Sequence, residues 1–280
     1  MGPPTGNSAL PPIDRCAAAC LMGPLTELVA LAGSAILSVD RAKMRVDGKT
    51  DGSPVTEADL AADRIIADGL SRLAPDIPAL SEERAASRGT GGSVAFFLID
   101  PLDGTKEFVA GRNEFTVNLA LVVNGTPLLG IIGAPALGLI WRGLVGQGAE
   151  RLTTHNALGP AEPIRTRPFP QGGHPWIAAV SRSHGDAATD AFIDRRPGAV
   201  RQMLGSAVKF AKVAEGAADI YPRLAPTSEW DVAAGHAIVT AAGGKITSAA
   251  GADLRFGQGA KDFVVPAFIA WGDPRLSAAL

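Results

Sequence analysis

A chain of 280 residues, 46% hydrophobic and 19% charged, carries enough apolar mass for a sizeable core, which excludes disorder as a global state. Gly (33) and Pro (21) without a Gly-X-Y period exclude collagen and favour a loop-rich fold. With 26 basic residues against 28 acidic ones, the formal net charge of −2 lacks the basic excess that binding a nucleic-acid polymer requires.

Residues 1–21 have neither the basic region nor the long apolar stretch of a secretory signal, and they read as a flexible N-terminal extension. No run approaches 18 consecutive apolar residues, so no spanning helix is expected. Cys16 and Cys20 can build neither a disulfide framework nor a four-ligand zinc site; four apart, they read as small residues of a helical turn, compatible with a reducing compartment. Helical spacing of Leu25, Leu28, Val29, Ala32, Ile36 and Val39 predicts a helix over 24–39. A polar, Gly-rich loop is expected over 45–53. A second helix from about 55 has Leu60, Ile65, Ile66, Leu70 and Leu73 on its apolar side and is closed by Pro75. The continuous apolar run 94–99 predicts a strand buried on both faces. Two apolar runs, 116–123 and 128–133, flank Asn124-Gly125 and predict a hairpin with a primed turn. A further strand is expected over 139–145.

The Pro- and Gly-punctuated stretch 159–175 marks a sub-domain boundary, dividing 22–158 from 159–280. Beyond it come a strand at 177–181, a helix at 206–215 stopped by Gly216, a strand at 220–224, and a helix at 230–242 ended by Gly243-Gly244. Helices alternating with strands predict a layered α/β protein.

Chemistry concentrates in Asp100-Pro101-Leu102-Asp103-Gly104-Thr105, directly after the buried strand. Two carboxylates at the mouth of an apolar strand need a partner. One reading is a hard divalent cation held by Asp100, Asp103 and the Leu102 carbonyl, with a phosphate at the helix N-terminus that Gly104-Thr105 opens. The other is an Asx turn in which the aspartates only cap a helix. Each remaining acidic group has a structural explanation too. Glu82-Glu83 can be a solvated pair, Asp59 part of a capping box with Thr56, and Asp231 a charge favoured in a helix's first turn. Lys209 and Lys212 lie on neighbouring parts of one helix surface; Lys212 reads as solvated, and Gly205-Ser206 makes the start of that helix a possible phosphate cradle. Arg223 is a bare guanidinium in an apolar strand, for which an ion pair is the rival explanation.

Glu82-Glu83, Asp100-Pro101-Leu102-Asp103-Gly104-Thr105 and Trp230-Asp231-Val232-Ala233-Ala234-Gly235 together resemble the lithium-sensitive, magnesium-dependent phosphatase superfamily that includes inositol monophosphatase. The resemblance runs from about 25 to 270. It implies the layered αβαβα fold of that superfamily, with most metal ligands in the first sub-domain. Several further stretches are similar to its 3′(2′),5′-bisphosphate nucleotidase branch: Lys106-Glu107-Phe108, Ser53-Pro54-Val55-Thr56-Glu57-Ala58-Asp59, Glu114-Phe115-Thr116-Val117-Asn118, Ser181-Arg182-Ser183-His184, Gly205-Ser206-Ala207-Val208-Lys209-Phe210 and Tyr221-Pro222-Arg223.

The resemblance implies that Glu82, Asp100, Asp103, Asp231 and the Leu102 carbonyl bind Mg²⁺, two or three ions, with Asp59 completing the outer site. Asp59 or Glu82, with Thr105, would orient the attacking water. Gly104 and Thr105 would hold the scissile phosphate, bordered by Glu82, Asp103 and Asp231. Ser206, Lys209, Arg223 and His184 would meet the nucleotide and its second phosphate, and Lys49 would reach the site as a mobile cation. The implied reaction is hydrolysis of 3′-phosphoadenosine 5′-phosphate to AMP and phosphate in sulfur assimilation. The implied setting is cytoplasmic, with peripheral placement on the inner membrane left open. A phosphatase of inositol or sugar phosphates with the same fold, and a catalytically silent metal-dependent binder, are the competing expectations. Physically, carboxylates would repel a doubly phosphorylated substrate unless metal ions invert the local charge. Phosphoryl transfer needs positioning and neutralisation more than a covalent nucleophile.

Overall fold

In the computed structural model the described residues are 13–48, 54–87, 93–155, 157–170, 174–183, 185–196, 198–257 and 263–278. The first helix, α1 (Arg15–Ser38), starts nine residues before the position that periodicity predicts, because the Asp14 side chain accepts a hydrogen bond from Ala17 N at 2.8 Å and caps it. Residues 15–21 are therefore helical, which corrects the expected extension there; residues 1–12 lie outside the described residues. By length and composition α1 could cross a membrane. Its Leu25, Leu28, Val29, Ala32 and Ile36 are buried, however, and pack on a sheet and a second helix. The expected loop contributes a short strand, β1 (Val46–Gly48), antiparallel to β2 (Pro54–Thr56). Residues 49–53 lie outside the described residues.

Helix α2 (Glu57–Leu73) buries only part of the expected apolar side. Leu60 and Leu73 are exposed, whereas Ala58, Asp59, Ala62, Asp63, Ile66 and Leu70 are buried. Ala58 and Ala62 pack in the apolar core with Ile66 and Leu70, while Asp59 and Asp63 are buried by hydrogen bonds to Thr56, Thr105, Ser81 and Arg84, which apolarity alone does not predict. Then come β3 (Ala79–Ser81), β4 (Ala95–Asp103) and the short α3 (Thr105–Val109). Four antiparallel strands follow: β5 (Thr116–Val123), β6 (Thr126–Ala134), β7 (Leu139–Leu144) and β8 (Gly148–Thr153). The β5–β6 turn has φ of 51° at Asn124 and 72° at Gly125, the primed geometry expected of Asn-Gly. A last strand, β9 (Glu162–Ile164), pairs with β8. The seven strands thus run in sequence order β3 to β9 as one sheet. It extends beyond residue 159, into the stretch that reads as a boundary.

The second half supplies β10 (Ile177–Ser181), α4 (Ala187–Asp194), β11 (Val200–Leu204), α5 (Val208–Ala214), β12 (Ile220–Arg223), β13 (Thr227–Ser228) and α6 (Glu229–Ala241). It ends with β14 (Lys245–Ser248), β15 (Val264–Val265) and β16 (Phe268–Trp271). Its five-stranded sheet has the order β11-β10-β12-β16-β14, with β10, β11 and β12 parallel.

Alternation along β4 shows how the layers form. Phe97 and Ile99 face α1 and α2, while Phe96 and Leu98 face a core shared with α5, α6 and the second sheet. A third, smaller core around Val180, Phe192, Ile193 and Trp271 joins that sheet to α4. The layer order is helices, sheet, helices, sheet, helix, as the αβαβα expectation has it.

Candidate active site

Chain direction gathers the site. The parallel strands β3 and β4 of one sheet, and β10, β11 and β12 of the other, all carry their carboxyl ends to one cleft. That is where open α/β sheets place ligands. The cleft, of about 230 Å³, is lined by Glu82, Asp100, Leu102, Asp103, Gly104 and Thr105 from the first half. Ser206, Lys209, Arg223 and Asp231 line it from the second. Asp59 stands immediately behind Thr105. Lys49 and His184, also expected near the site, lie outside the described residues.

Strand β4 continues to Asp103, beyond Ile99 at the end of its apolar run, because its ladder with β5 resumes at Asp103–Thr116 after an irregularity at Pro101-Leu102. Proline has no N–H for the ladder, and the irregularity lets two carboxylates meet one cleft. Asp100 is buried, and its Oδ1 accepts from Leu102 N at 3.0 Å, so the Asx turn exists within the site. Asp103 Oδ2 faces Thr116 Oγ1 at 3.4 Å and Asn118 Nδ2 at 3.3 Å. Gly104 has φ of 89°, and a Cβ there would lie 2.1 Å from Ser206 Oγ, so only glycine fits.

Two capping boxes do double service. Asp59 Oδ2 accepts from Thr56 N at 2.8 Å and Thr56 Oγ1 at 2.6 Å, closing the N-terminus of α2. Its other oxygen, Oδ1, accepts from Thr105 Oγ1 at 2.9 Å. At α6, Asp231 Oδ2 accepts from Ser228 N at 3.2 Å and from Thr227 Oγ1, while the residue lines the cleft. Local capping and the functional placement are thus the same geometry, one carboxylate oxygen serving each. Glu82 opens the helical turn after β3, and Asp63 of α2 brackets it: Asp63 Oδ1 accepts from Ser81 Oγ at 2.6 Å and from Arg84 Nη2 at 3.0 Å.

The electrostatics follow from crowding. Burial raises the Asp103 carboxyl, opposed by Lys209 and aided by Glu82 and Glu107. Burial, then Asp103, pushes Asp231 up to about 6. Burial brings Lys209 down to about 8 against the pull of Asp103. Its Nζ donates to Ser206 O at 2.5 Å. Arg223 Nε is buried without a hydrogen-bond partner among the described residues. The Ser206 hydroxyl points at the backbone carbonyls of Asp103 (2.8 Å) and Glu114 (2.9 Å), so it braces the Asp103-Gly104 turn.

Carboxylates with one backbone carbonyl form an all-oxygen donor set that suits a hard divalent cation, whose charge would relieve the raised Asp103 and Asp231. Among the described residues no three acidic, His or Cys side chains stand close enough to cage an ion by themselves. Lys106, Glu107, Ser181 and Tyr221 also line the cleft, and sequence reasoning gave none of them a role. Nor did it assign one to Asp63, Glu114 or Arg182, whose partners are distant in sequence.

A model of the inositol monophosphatase family matches residues 18–276. The chain is 41% identical over 233 residues to the 3′(2′),5′-bisphosphate nucleotidase CysQ of Escherichia coli O157:H7, covering 81% of this chain and 89% of that one. It is 35% identical over 239 residues to CysQ of Buchnera aphidicola, 84% and 87% of the two chains. The crystal structure of CysQ from Bacteroides thetaiotaomicron superposes with a TM-score of 0.75 at 32% identity, over 90% of this chain and 97% of that one. An inositol monophosphatase from Zymomonas mobilis gives 0.74 at 26% identity, over 94% and 96%. A match that spans both sheets and every described acidic group of the cleft leaves no part of the site outside it: the chain belongs to the inositol monophosphatase family.

Proposed function

We propose that this chain is a magnesium-dependent 3′(2′),5′-bisphosphate nucleotidase that hydrolyses 3′-phosphoadenosine 5′-phosphate to AMP and phosphate, in the cytoplasm and in the service of sulfur metabolism. The observation that carries the reading is a pair of cations, Lys209 and Arg223, in the same cleft as the carboxylates. One scissile phosphate needs the acidic, metal-binding side; a second phosphate needs a cationic one. The buried, unpartnered Nε of Arg223 has a ready acceptor in that second phosphate. Exposed, free Cys16 and Cys20 suit a reducing compartment.

Glu82, Asp100, Asp103, Asp231 and the Leu102 carbonyl would hold two or three Mg²⁺ ions. Bound there, the ions supply charge neutralisation and a water acidified for attack. The chain's own residues do the rest. Thr105 donates its hydroxyl proton to Asp59 Oδ1, which leaves its lone pairs turned to a water and fixes that water's direction. Asp59 is the group that takes the proton. The first-turn amides of α3, opened by Gly104 in its left-handed conformation, face the scissile phosphate. Lys209 and Arg223 hold the second phosphate, so that binding energy remote from the reacting bond aligns it.

Phosphate release in Mg²⁺ tests this, comparing 3′-phosphoadenosine 5′-phosphate with inositol 1-phosphate. The bisphosphate is the preferred substrate, and Asp103→Asn loses about a hundredfold or more of turnover, since several kcal/mol of charge stabilisation rest on the ligand set. Preference for the inositol ester would overturn the substrate, and a fully active Asp103→Asn the metal assignment.

A further inference from the structure

The two cleft turns come from different sheets, and one glutamate joins them. Glu114, between α3 and β5, receives the Arg182 guanidinium as a fork, Nε to Oε2 at 3.0 Å and Nη2 to Oε2 at 2.8 Å. The same Oε2 accepts Gly205 N at 3.0 Å, and the backbone carbonyl of Glu114 lies 2.9 Å from Ser206 Oγ. Arg182 is itself fastened to the strand leading into that turn: its N donates to Leu204 O at 3.0 Å and its Nη2 to Met203 O at 2.9 Å. The approach leaves no slack. A Cβ on Gly205 would sit 2.5 Å from Glu114 O, and Ser206 is held at a φ of 48°, outside the region a serine prefers. Ser206 O in turn accepts the ammonium of Lys209.

We infer that Glu114, gripped by Arg182, is a positioning residue for Lys209: it pins the Gly205-Ser206 turn of the second sheet to the Asp103-Gly104 turn of the first, and so sets where the buried ammonium stands relative to the scissile phosphate. The inference rests on the reading of Lys209 as a contact to the second phosphate. Such a strap is needed because the contact crosses the junction of two sheets. Neither β-ladder fixes the distance between Asp103 and Lys209; Glu114, two residues before the Thr116 that pairs with Asp103, reaches Gly205 and Arg182 with its carboxylate, and Ser206 Oγ meets both Glu114 O and Asp103 O. A strained αL serine persists only where its surroundings over-determine it, and four bonds from Glu114 and Arg182 to the 203–206 segment do so. Neither residue reaches the reacting atoms, so both act through Lys209.

The test has one readout that needs no substrate. With an amine-acylating reagent and mass spectrometry, Glu114→Ala and, independently, Arg182→Gln raise labelling of Lys209 by about fivefold or more, with Lys212 as the unchanged internal control. The second readout is kinetic: both variants raise KM for the nucleoside bisphosphate about tenfold with kcat within about twofold, and neither raises it further in a Lys209→Ala background. Unchanged Lys209 labelling overturns the inference. So does an equal rise of KM with and without Lys209, which is what general loosening would produce. If the wild-type chain does not turn over the bisphosphate, the functional reading falls, and enhanced labelling of Lys209 alone still supports the strap.

Discussion

At the scale of single residues, the site is made of groups that each satisfy two demands. Asp100 closes an Asx turn, Asp59 and Asp231 close capping boxes, and all three also meet the cleft or Thr105. The structural and the functional reading of each aspartate, which stand as rivals in the sequence, are compatible, because a carboxylate has two oxygens and capping uses one. His236 belongs to the same scale and does not line the cleft. It is buried on α6, edge-on to Phe256, with Nδ1 unpartnered among the described residues. Burial lowers it to about 4, against a slight pull from Asp253. Its folded pKa lies below the unfolded value near 6.5, so the unfolded chain binds the proton more readily. Stability from this group is complete above about pH 6.5 and falls toward pH 4, by roughly 3 kcal/mol in all. Denaturant titrations at pH 7.5 and 4.5 measure it, and His236→Phe flattens the difference; an equal pH slope in that variant would remove His236 as the cause.

At the scale of elements, the caps are where stability and chemistry meet. Thr56 Oγ1 donates to Asp59 and accepts from Ala58 N at 3.2 Å, so Thr56→Ala breaks both bonds at once. The variant is expected to cost about 1 kcal/mol of stability and to lower kcat, because Asp59 loses one of the bonds that orient it toward Thr105. Thr56→Ser restores both properties. Denaturation midpoints and initial rates read the two effects separately, and a Thr56→Ala enzyme with wild-type kcat would free Asp59 from dependence on its cap. Sequence patterning predicted the hairpin at Asn124-Gly125 well, since both φ values are local demands. It predicted Ile66 and Leu70 on the inner face of α2 but missed Asp63, which is buried to hold Ser81 and Arg84 beside Glu82.

At the scale of the whole molecule, α6 lies between two sheets and delivers Asp231 from there. A row of small residues makes room for it. Ala120, Gly130, Gly143 and Ala149 stand directly across four neighbouring strands, β5 to β8. A Cβ on Gly130 would come within 2.2 Å of Ala234 O, and one on Gly143 within 2.9 Å of Ile238 Cα. Backbone cannot yield as a flexible side chain does, so Gly130→Ala must lift the helix. The expected cost is about 1–3 kcal/mol, together with a higher Mg²⁺ concentration for half-maximal activity, because Asp231 rides on the displaced helix. Thermal unfolding and a Mg²⁺ titration check the two; wild-type behaviour in both would show that α6 can shift without disturbing the site.

What the sequence determined by itself is whatever depends on neighbours along the chain: the apolar strand feeding Asp100 to Thr105, the primed turn, the capping residues of α2 and α6, and the short motifs that carry the family resemblance. These are local because a turn, a cap or a motif is a property of a few consecutive residues. Tertiary structure decided the rest. It joined 162–164 to the first sheet, turned Ser206 onto two carbonyls, and brought Glu114 to Arg182 and Gly205. The contacts of Ser206 and Glu114 join partners 68 to 103 residues apart, whose meeting is set by how two sheets pack across one layer of helices.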